Sequence, residues 1–211
     1  MLALLEGAGI PPIPDLSLYV PEDIESDWQG WRSSRIESGG SNPGGYAAIA
    51  PTSRWLSKEW PLERWVAVGE RLLESGRVSN ILMLGAPSEV GKIQDAIGER
   101  EGFQSLAGEG PLSWSMAAVR DSSILLGNDS AMLHAAAGFA VPLVGLFGPT
   151  DPAICGPYGR IQDTIRAPGV GTDVHYRDRG LGDRLMREIA VEEVVEMAID
   201  RITVRGESQG S

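Results

Sequence analysis

From residue 46 onward the apolar positions of this chain alternate between short unbroken runs and longer stretches of helical spacing. Tyr46–Ala50 is a run with the character of a buried strand. Pro61–Ser75 then places Leu62, Trp65, Val66, Gly69 and Leu72 or Leu73 on one side at helical spacing, and Gly76 ends it. Asn80–Leu84, led in by Val78, reads as the next strand. A Gly85-Ala86-Pro87 turn and a helix from Ser88 to about Arg100 follow. Phe103–Leu106 and Ser123–Leu126 are further strands, with a helix over Leu112–Val119 between them. Ala131–Ala137 is a short small-residue helix. Val141–Phe147 is apolar on both faces, as an interior strand of a parallel sheet must be. Asp163–Arg166 reads as a sixth strand or an extended segment, and Thr172–Asp183 as polar loop. Val191–Val204 is a terminal amphipathic helix with Val194, Val195, Ala198, Ile199 and Ile202 inward. Strands alternating with helices at this spacing predict an α/β fold with right-handed crossovers.

The pattern before Tyr46 is different. Met1–Ile10 is a short apolar helix ending at Gly7 or Gly9, too short to stand alone. It reads as the tail of a preceding domain's last helix. Pro11–Pro21 is an extended connector, Glu22–Arg35 a polar helix carrying Trp28 and Trp31, and Ser38–Gly45 a flexible linker. The expected organisation is a remnant helix and linker over 1–45, a compact domain over 46–204, and a disordered tail over 205–211.

Composition narrows the chemistry. Lys and Arg number 18 against 29 Asp and Glu, a net charge of -11 over 211 residues. This argues against a nucleic-acid or anionic-membrane surface, which needs a basic footprint. A local phosphate site stays open, because one helix N-terminus and one or two cations suffice for it. One cysteine and two histidines argue against a disulfide and a metal centre. No run approaches the ~18 apolar residues of a membrane span, and no signal peptide is visible at Met1. The expected setting is cytoplasmic, with any membrane association peripheral.

Three stretches carry candidate chemistry. Gly127–Pro157 combines a helix start, a buried strand and a rigid polar loop. Asp129 and Ser130 are placed to cap the helix that opens at Ala131, and Gly138 to close it as a left-handed cap. His134 lies one turn beyond Ser130, where it either leans toward a phosphate or ribose oxygen or sits in the core between alanines. A carboxylate at Asp129 competes with a bound phosphate, so a functional Asp129 faces sugar hydroxyls or orients the loop. The strand exit Gly148-Pro149-Thr150-Asp151-Pro152 offers Gly148 for close approach of a ligand and Thr150 for a hydrogen bond, or is simply a stiff loop. Cys155 beside it reads as a small buried residue rather than a nucleophile. The loop after the first strand, Pro51–Pro61, supplies Thr52, Ser53 and Lys58 to a phosphate at the sheet edge where ligands bind. Its alternative is a pair of solvated charges at Arg54 and Lys58. The turn after the first strand, APTSRWLSK, lacks the GxGxxG dinucleotide fingerprint, so an NAD-type site loses its main support.

Together and in this order, PTSRWLSKEWPLERW (Pro51–Trp65), NDSAMLH (Asn128–His134) and LFGPTDPAICGPYG (Leu146–Gly159) resemble glycosyltransferase family 9, the heptosyltransferases of the lipopolysaccharide inner core. LMREIAVEEV (Leu185–Val194) is a fainter match. The resemblance implies a Rossmann-like parallel sheet with helices on both faces, the C-terminal half of a GT-B architecture. It also implies an inverting transfer from an ADP-activated heptose, with no metal or other cofactor. Carried onto this sequence, Thr52, Ser53 and Lys58 hold the diphosphate, and Asp129, Ser130, Ala131 and His134 line the diphosphate and sugar. Glu89 is a weaker candidate for the ribose. The family's usual glycine is replaced by Ala131. Its general base is an aspartate of the N-terminal acceptor domain, so this chain is expected to contain no catalytic residue, to lack transferase activity alone, and to meet the lipopolysaccharide-type acceptor only through the missing domain. Two other readings remain at this point: a non-catalytic nucleotide-sugar-binding module or subunit of a split enzyme, and a nucleotide-sugar epimerase-like domain.

Overall fold

A computed structural model describes residues 17–36, 45–170 and 177–209. The expected helix at Met1–Ile10, most of the Pro11–Pro21 connector, all of the Ser38–Gly45 linker but Gly45, and residues 172–176 lie outside the described residues. The elements are α1 (Glu25–Arg35), β1 (Tyr46–Ala50), α2 (Leu62–Glu74), β2 (Asn80–Met83), α3 (Val90–Ile97), β3 (Phe103–Ser105), α4 (Leu112–Asp121), β4 (Ile124–Asn128), α5 (Ala131–Gly138), β5 (Leu143–Phe147), α6 (Pro152–Cys155), β6 (Thr164–Arg166), α7 (Arg179–Glu188) and α8 (Val191–Gln209).

The six strands form one sheet in the order β3-β2-β1-β4-β5-β6, and every neighbouring pair is parallel. The chain winds outward from β1 to one edge, then crosses back to place β4 on the other side of β1. This is the doubly wound order with its switch point between β1 and β4. In register, Ala47 meets Ile124 and Ala50 meets Gly127.

Alternation along β1 divides the core. Ala47 and Ile49 face one side, where Trp60, Trp65, Leu72, Ile93, Met186 and Val194 bring α2, α3, α7 and α8 onto the sheet. Tyr46, Ala48 and Ala50 face the other, against Trp28, Ala117, Ala118, Leu133 and Ala136 of α1, α4 and α5. Small residues on β1 let both helical layers approach the central strand. Every residue of β1, β2, β4 and β5 is buried, which explains their unbroken apolar runs. α1 is fastened to α4 by an indole N–H bond from Trp28 to Asp121 (2.8 Å) and by a two-pronged Arg120–Glu25 pair (2.9 Å each).

Several boundaries differ from expectation. Gly138 does not close α5 as a left-handed cap: it is the last helical residue, and the positive φ falls on Ala140 (+54°). Val141 N–H bonds Ala136 O (2.9 Å) and Ala140 N–H bonds Ala137 O (3.1 Å), a Schellman closure with alanine where glycine usually stands. The chain therefore needs two more residues before β5, which starts at Leu143 rather than Val141. The helix expected from Ser88 begins as a single 3-10 turn, Pro87–Glu89, and stops at Ile97, where Gly98 takes φ +56°. Within the stretch read as loop over Thr172–Asp183, residues from Arg179 are helical. Asp178 caps α7 by accepting the Leu181 N–H (3.0 Å), and Gly182 within it packs closely on the backbone of Ser57. α8 runs on to Gln209, into the stretch read as a tail.

Candidate functional site

A cleft of about 670 Å³ opens at the carboxyl ends of the strands, across the switch point. Its walls come from four loops: Thr52–Trp55 and Lys58 after β1, Leu84–Glu89 after β2, Gly110–Ser115 after β3 and Asp129–Met132 after β4. Parallel strands end at one edge, so loops far apart in sequence converge there.

At the centre of the cleft the Lys58 ammonium donates to Asp129 Oδ2 at 2.6 Å, with side-chain exposures of 15% and 9%. The Thr150 hydroxyl donates to the same oxygen at 2.8 Å. Lys58 is carried by the 3-10 turn Leu56–Lys58, closed by Lys58 N–H on Trp55 O (2.9 Å). That turn is pressed into place from behind by α7. A Cβ on Gly182 would stand 2.3 Å from Ser57 O, so only glycine admits this contact. Asp129 extends the sheet ladder through its N–H to Leu146 O (3.1 Å), which fixes its carboxylate over the strand ends. Cys155 lies near this group, its thiol directed to Asp151 O (3.2 Å) and 3.7 Å from Asp129 Oδ2. Burial, and then the Asp129 charge, push the thiol's pKa up, so Cys155 is not an activated nucleophile.

The expected caps of α5 are not formed. Ser130 occupies the N-cap with extended backbone (φ -151°, ψ 169°) but makes no side-chain cap bond, and the Asp129 carboxylate turns to Lys58 and Thr150 instead. The Ser130 Oγ is buried without a hydrogen-bond partner. The first N–H groups of a helix have no partner within it. The amino end of α5 thus presents uncapped donors to the cleft, beside a lysine.

The loop after β1 is tied down by its own neighbours. The Thr52 hydroxyl donates to Glu89 Oε2 (3.0 Å), which also accepts the Ala86 N–H (2.7 Å). The Ser53 N–H donates to Glu59 Oε1 (3.0 Å), while Lys92 holds Oε2 of the same glutamate (2.6 Å). The Ser53 hydroxyl reaches the Asp129 carbonyl at 3.4 Å. Arg54 lines the cleft, its guanidinium 6.0 Å from the Trp55 ring.

The cleft brings together Thr52, Ser53, Lys58, Glu89, Asp129, Ser130 and Ala131. His134 is exposed on α5, neither in the core nor on the cleft wall, and Thr150 reaches the site only through Asp129. Gly148 is buried and does not serve a ligand's approach: a Cβ there would meet Met186 Sδ at 2.6 Å, so it makes room for α7.

Sequence reasoning missed Asn128. Fully buried, it accepts the Trp60 N–H (3.1 Å) and donates to Pro51 O (2.6 Å), stitching both ends of the β1 loop to the end of β4. Its one signal was a polar amide closing an otherwise apolar strand. Glu59 was missed too, since nothing in WLSKEWP distinguishes a glutamate that folds back on its own loop.

The sequence model of glycosyltransferase family 9 (heptosyltransferase) matches residues 19–179. Lipopolysaccharide heptosyltransferase 1 of Escherichia coli strain RS218 is 27% identical over 129 residues, which are 61% of this chain and 39% of that protein. Among solved structures, a family 9 glycosyltransferase from Veillonella parvula superposes with a TM-score of 0.81 at 21% identity, over 96% of this chain and 58% of that one. The E. coli heptosyltransferase WaaC with ADP gives 0.61 at 21%, over 77% and 46%. The match thus spans about two fifths of the curated relative's length and about half of the solved chains. No helix among the described residues is long and apolar enough to cross a membrane. With the doubly wound sheet and the family's sequence model in agreement over most of its length, this chain belongs to glycosyltransferase family 9, the heptosyltransferase family.

Proposed function

We propose that the cleft at the β1–β4 switch point holds the nucleotide-sugar donor of a heptosyltransferase, of the ADP-heptose type, for inverting transfer to a lipopolysaccharide core acceptor. The observation that carries this reading is the amino end of α5, where the Ser130 hydroxyl has no partner and Lys58 stands in the same cleft. A helix N-terminus with uncapped donors and a nearby ammonium is a diphosphate site in charge and shape. That a family 9 neighbour of similar fold was solved with ADP supports the same ligand class here.

In this reading the diphosphate rests on the backbone N–H groups that open α5 and on the Ser130 hydroxyl, with Lys58 balancing its charge. The apolar end of the cleft, between Leu84 and Leu112, takes the base, and Glu89 faces the ribose. An acceptor hydroxyl attacks the anomeric carbon as the bond from that carbon to the diphosphate oxygen breaks. The electron pair leaves with the diphosphate, and the hydroxyl proton passes to a base. Lys58 and the helix N-terminus stabilise the charge that gathers on the leaving group. We place that base outside this chain, on the acceptor-binding part of the enzyme. The chain alone then binds the donor and turns over only when that part is supplied.

Calorimetric titration of the 211-residue chain with ADP tests the site. Binding is expected, and Lys58→Ala is expected to weaken it at least tenfold while still unfolding cooperatively, at a melting temperature lowered by loss of the Lys58–Asp129 pair. An absence of binding, or a Lys58→Ala variant indistinguishable from wild type, refutes the assignment.

A further inference from the structure

A lysine meant for a phosphate is here already engaged by a carboxylate. Lys58 and Asp129 are 2.6 Å apart, both largely withdrawn from water, and Thr150 donates to the oxygen that Lys58 holds, fixing the carboxylate in place. Asp129 immediately precedes Ser130, so its negative charge sits at the mouth of the helix N-terminus rather than across the cleft. Glu89 adds a second carboxylate to the same cleft, and Arg54, which also lines it, is exposed. The site is therefore less positive than its lysine and its helix suggest, because a like charge in a partly desolvated setting opposes each further negative charge brought to it.

We propose that Asp129 sets a charge limit on the ligand, so that the cleft favours a diphosphate closed as a diester over a diphosphate with a free terminal phosphate. The inference rests on the donor-site reading above. A nucleotide sugar has two phosphates, each esterified on both sides, and carries about two negative charges. The nucleoside diphosphate left after transfer exposes a terminal phosphate whose second proton leaves near pH 6, so at pH 7.5 it carries about three. Lys58 and the helix N-terminus accommodate the first two charges, and Asp129 opposes the third. Transfer thus converts a ligand matched to the site into one the site holds less tightly, which favours release of the product. Asp129 acts here through its charge and its hold on Lys58, as a positioning and specificity residue.

The test compares two probes that differ only in that charge, ADP and its β-phosphate methyl ester, titrated at pH 7.5 and low salt into the full chain. Wild type is expected to bind the ester at least as tightly as ADP. In Asp129→Asn, which keeps an acceptor for Lys58 and Thr150 but removes the charge, both probes should gain affinity, with ADP gaining at least about tenfold more than the ester. Equal gains for the two probes overturn the charge limit and leave the donor site standing. So does a wild type that already binds ADP more tightly than the ester, a measurement that decides the matter even if the variant does not fold. Binding of neither probe by wild type overturns the donor-site reading and the charge limit together.

Discussion

Gly182→Ala separates local helix preference from tertiary packing, because the two predict opposite signs. Gly182 lies inside α7, where replacing glycine by alanine stabilises an exposed helix by about 1 kcal/mol. A Cβ at this position would meet Ser57 O at 2.3 Å, Ser57 Cβ at 2.5 Å and Ser57 Cα at 2.7 Å, where ordinary contact begins at 3.4 Å. Two of these three atoms are backbone, so no side-chain rotation relieves the overlap, and α7 or the Leu56–Lys58 turn must retreat by roughly 1 Å. A gap of that size forfeits a quarter to a half of each contact along the interface, and overpacking of this kind costs about 1–3 kcal/mol. Placing the cost in the upper half of that range, because backbone is involved, leaves a net loss of about 1–2 kcal/mol. For a chain of this length that lowers the melting temperature by roughly 2–8 °C. Lys58 follows Ser57, so the same shift moves the ammonium away from Asp129, and ADP affinity should fall about three- to tenfold. Thermal unfolding followed by circular dichroism gives the first number and calorimetry the second. A melting temperature that rises would mean that helix propensity wins and that the contact between α7 and the lysine turn is not tight.

Three further outcomes follow from particular contacts. Ala140→Gly relieves the left-handed backbone at φ +54° and should stabilise the protein by about 1 kcal/mol, a melting temperature higher by roughly 2–4 °C in the same scan. Asn128→Ala leaves the Trp60 N–H and the Pro51 carbonyl buried without partners and should cost about 2–4 kcal/mol in urea unfolding. The carboxyl of Glu25 is held below its ordinary value of 4.5, chiefly by its hydrogen bonds from Arg120 and then from Gln29. Its contribution is therefore fully present above pH 4.5 and lost as pH falls through the lowered folded value. Glu25→Gln should narrow the stability gap from wild type in acid and show it fully at pH 7, read from urea midpoints at each pH.

What the sequence made legible depended on how local its cause was. The six strands and the helices between them were readable because unbroken apolar runs and helical spacing are properties of a few adjacent residues. The ends of the elements were less so. Gly138 looked like the obvious cap, yet the chain spends its left-handed turn on Ala140, because the position is set by where Val141 must enter the core. α7 begins inside a stretch read as polar loop, and the value of its Gly182 lies in a contact with Ser57, 125 positions earlier. In the site, Lys58, Asp129 and Ser130 were identifiable as residue types on ligand-edge loops, and Glu89 only through the family resemblance. Their pairings were not. That Asp129 neutralises Lys58 rather than capping α5, that Thr52 is spent on Glu89, and that Asn128 sews Pro51 to Trp60 are long-range facts with no trace in spacing.

The switch point has a mechanical meaning as well as a chemical one. The strands β3-β2-β1 and the strands β4-β5-β6 are two three-stranded blocks, and within the sheet they meet along the single seam of β1 against β4. The seam joins residues 77 apart in sequence, the loop-closure step that makes such parallel pairings form late. The Lys58–Asp129 pair and the two Asn128 bonds cross that seam at its open end, like rivets over a joint. A ligand lying across the cleft grips both blocks at once and binds only the closed joint. At a hundred times its dissociation constant it adds about 2.7 kcal/mol to the native state. That gain falls on opening of the seam, so amide exchange along β4 should slow on ligand binding, while fraying at the outer strands β3 and β6 stays as it was.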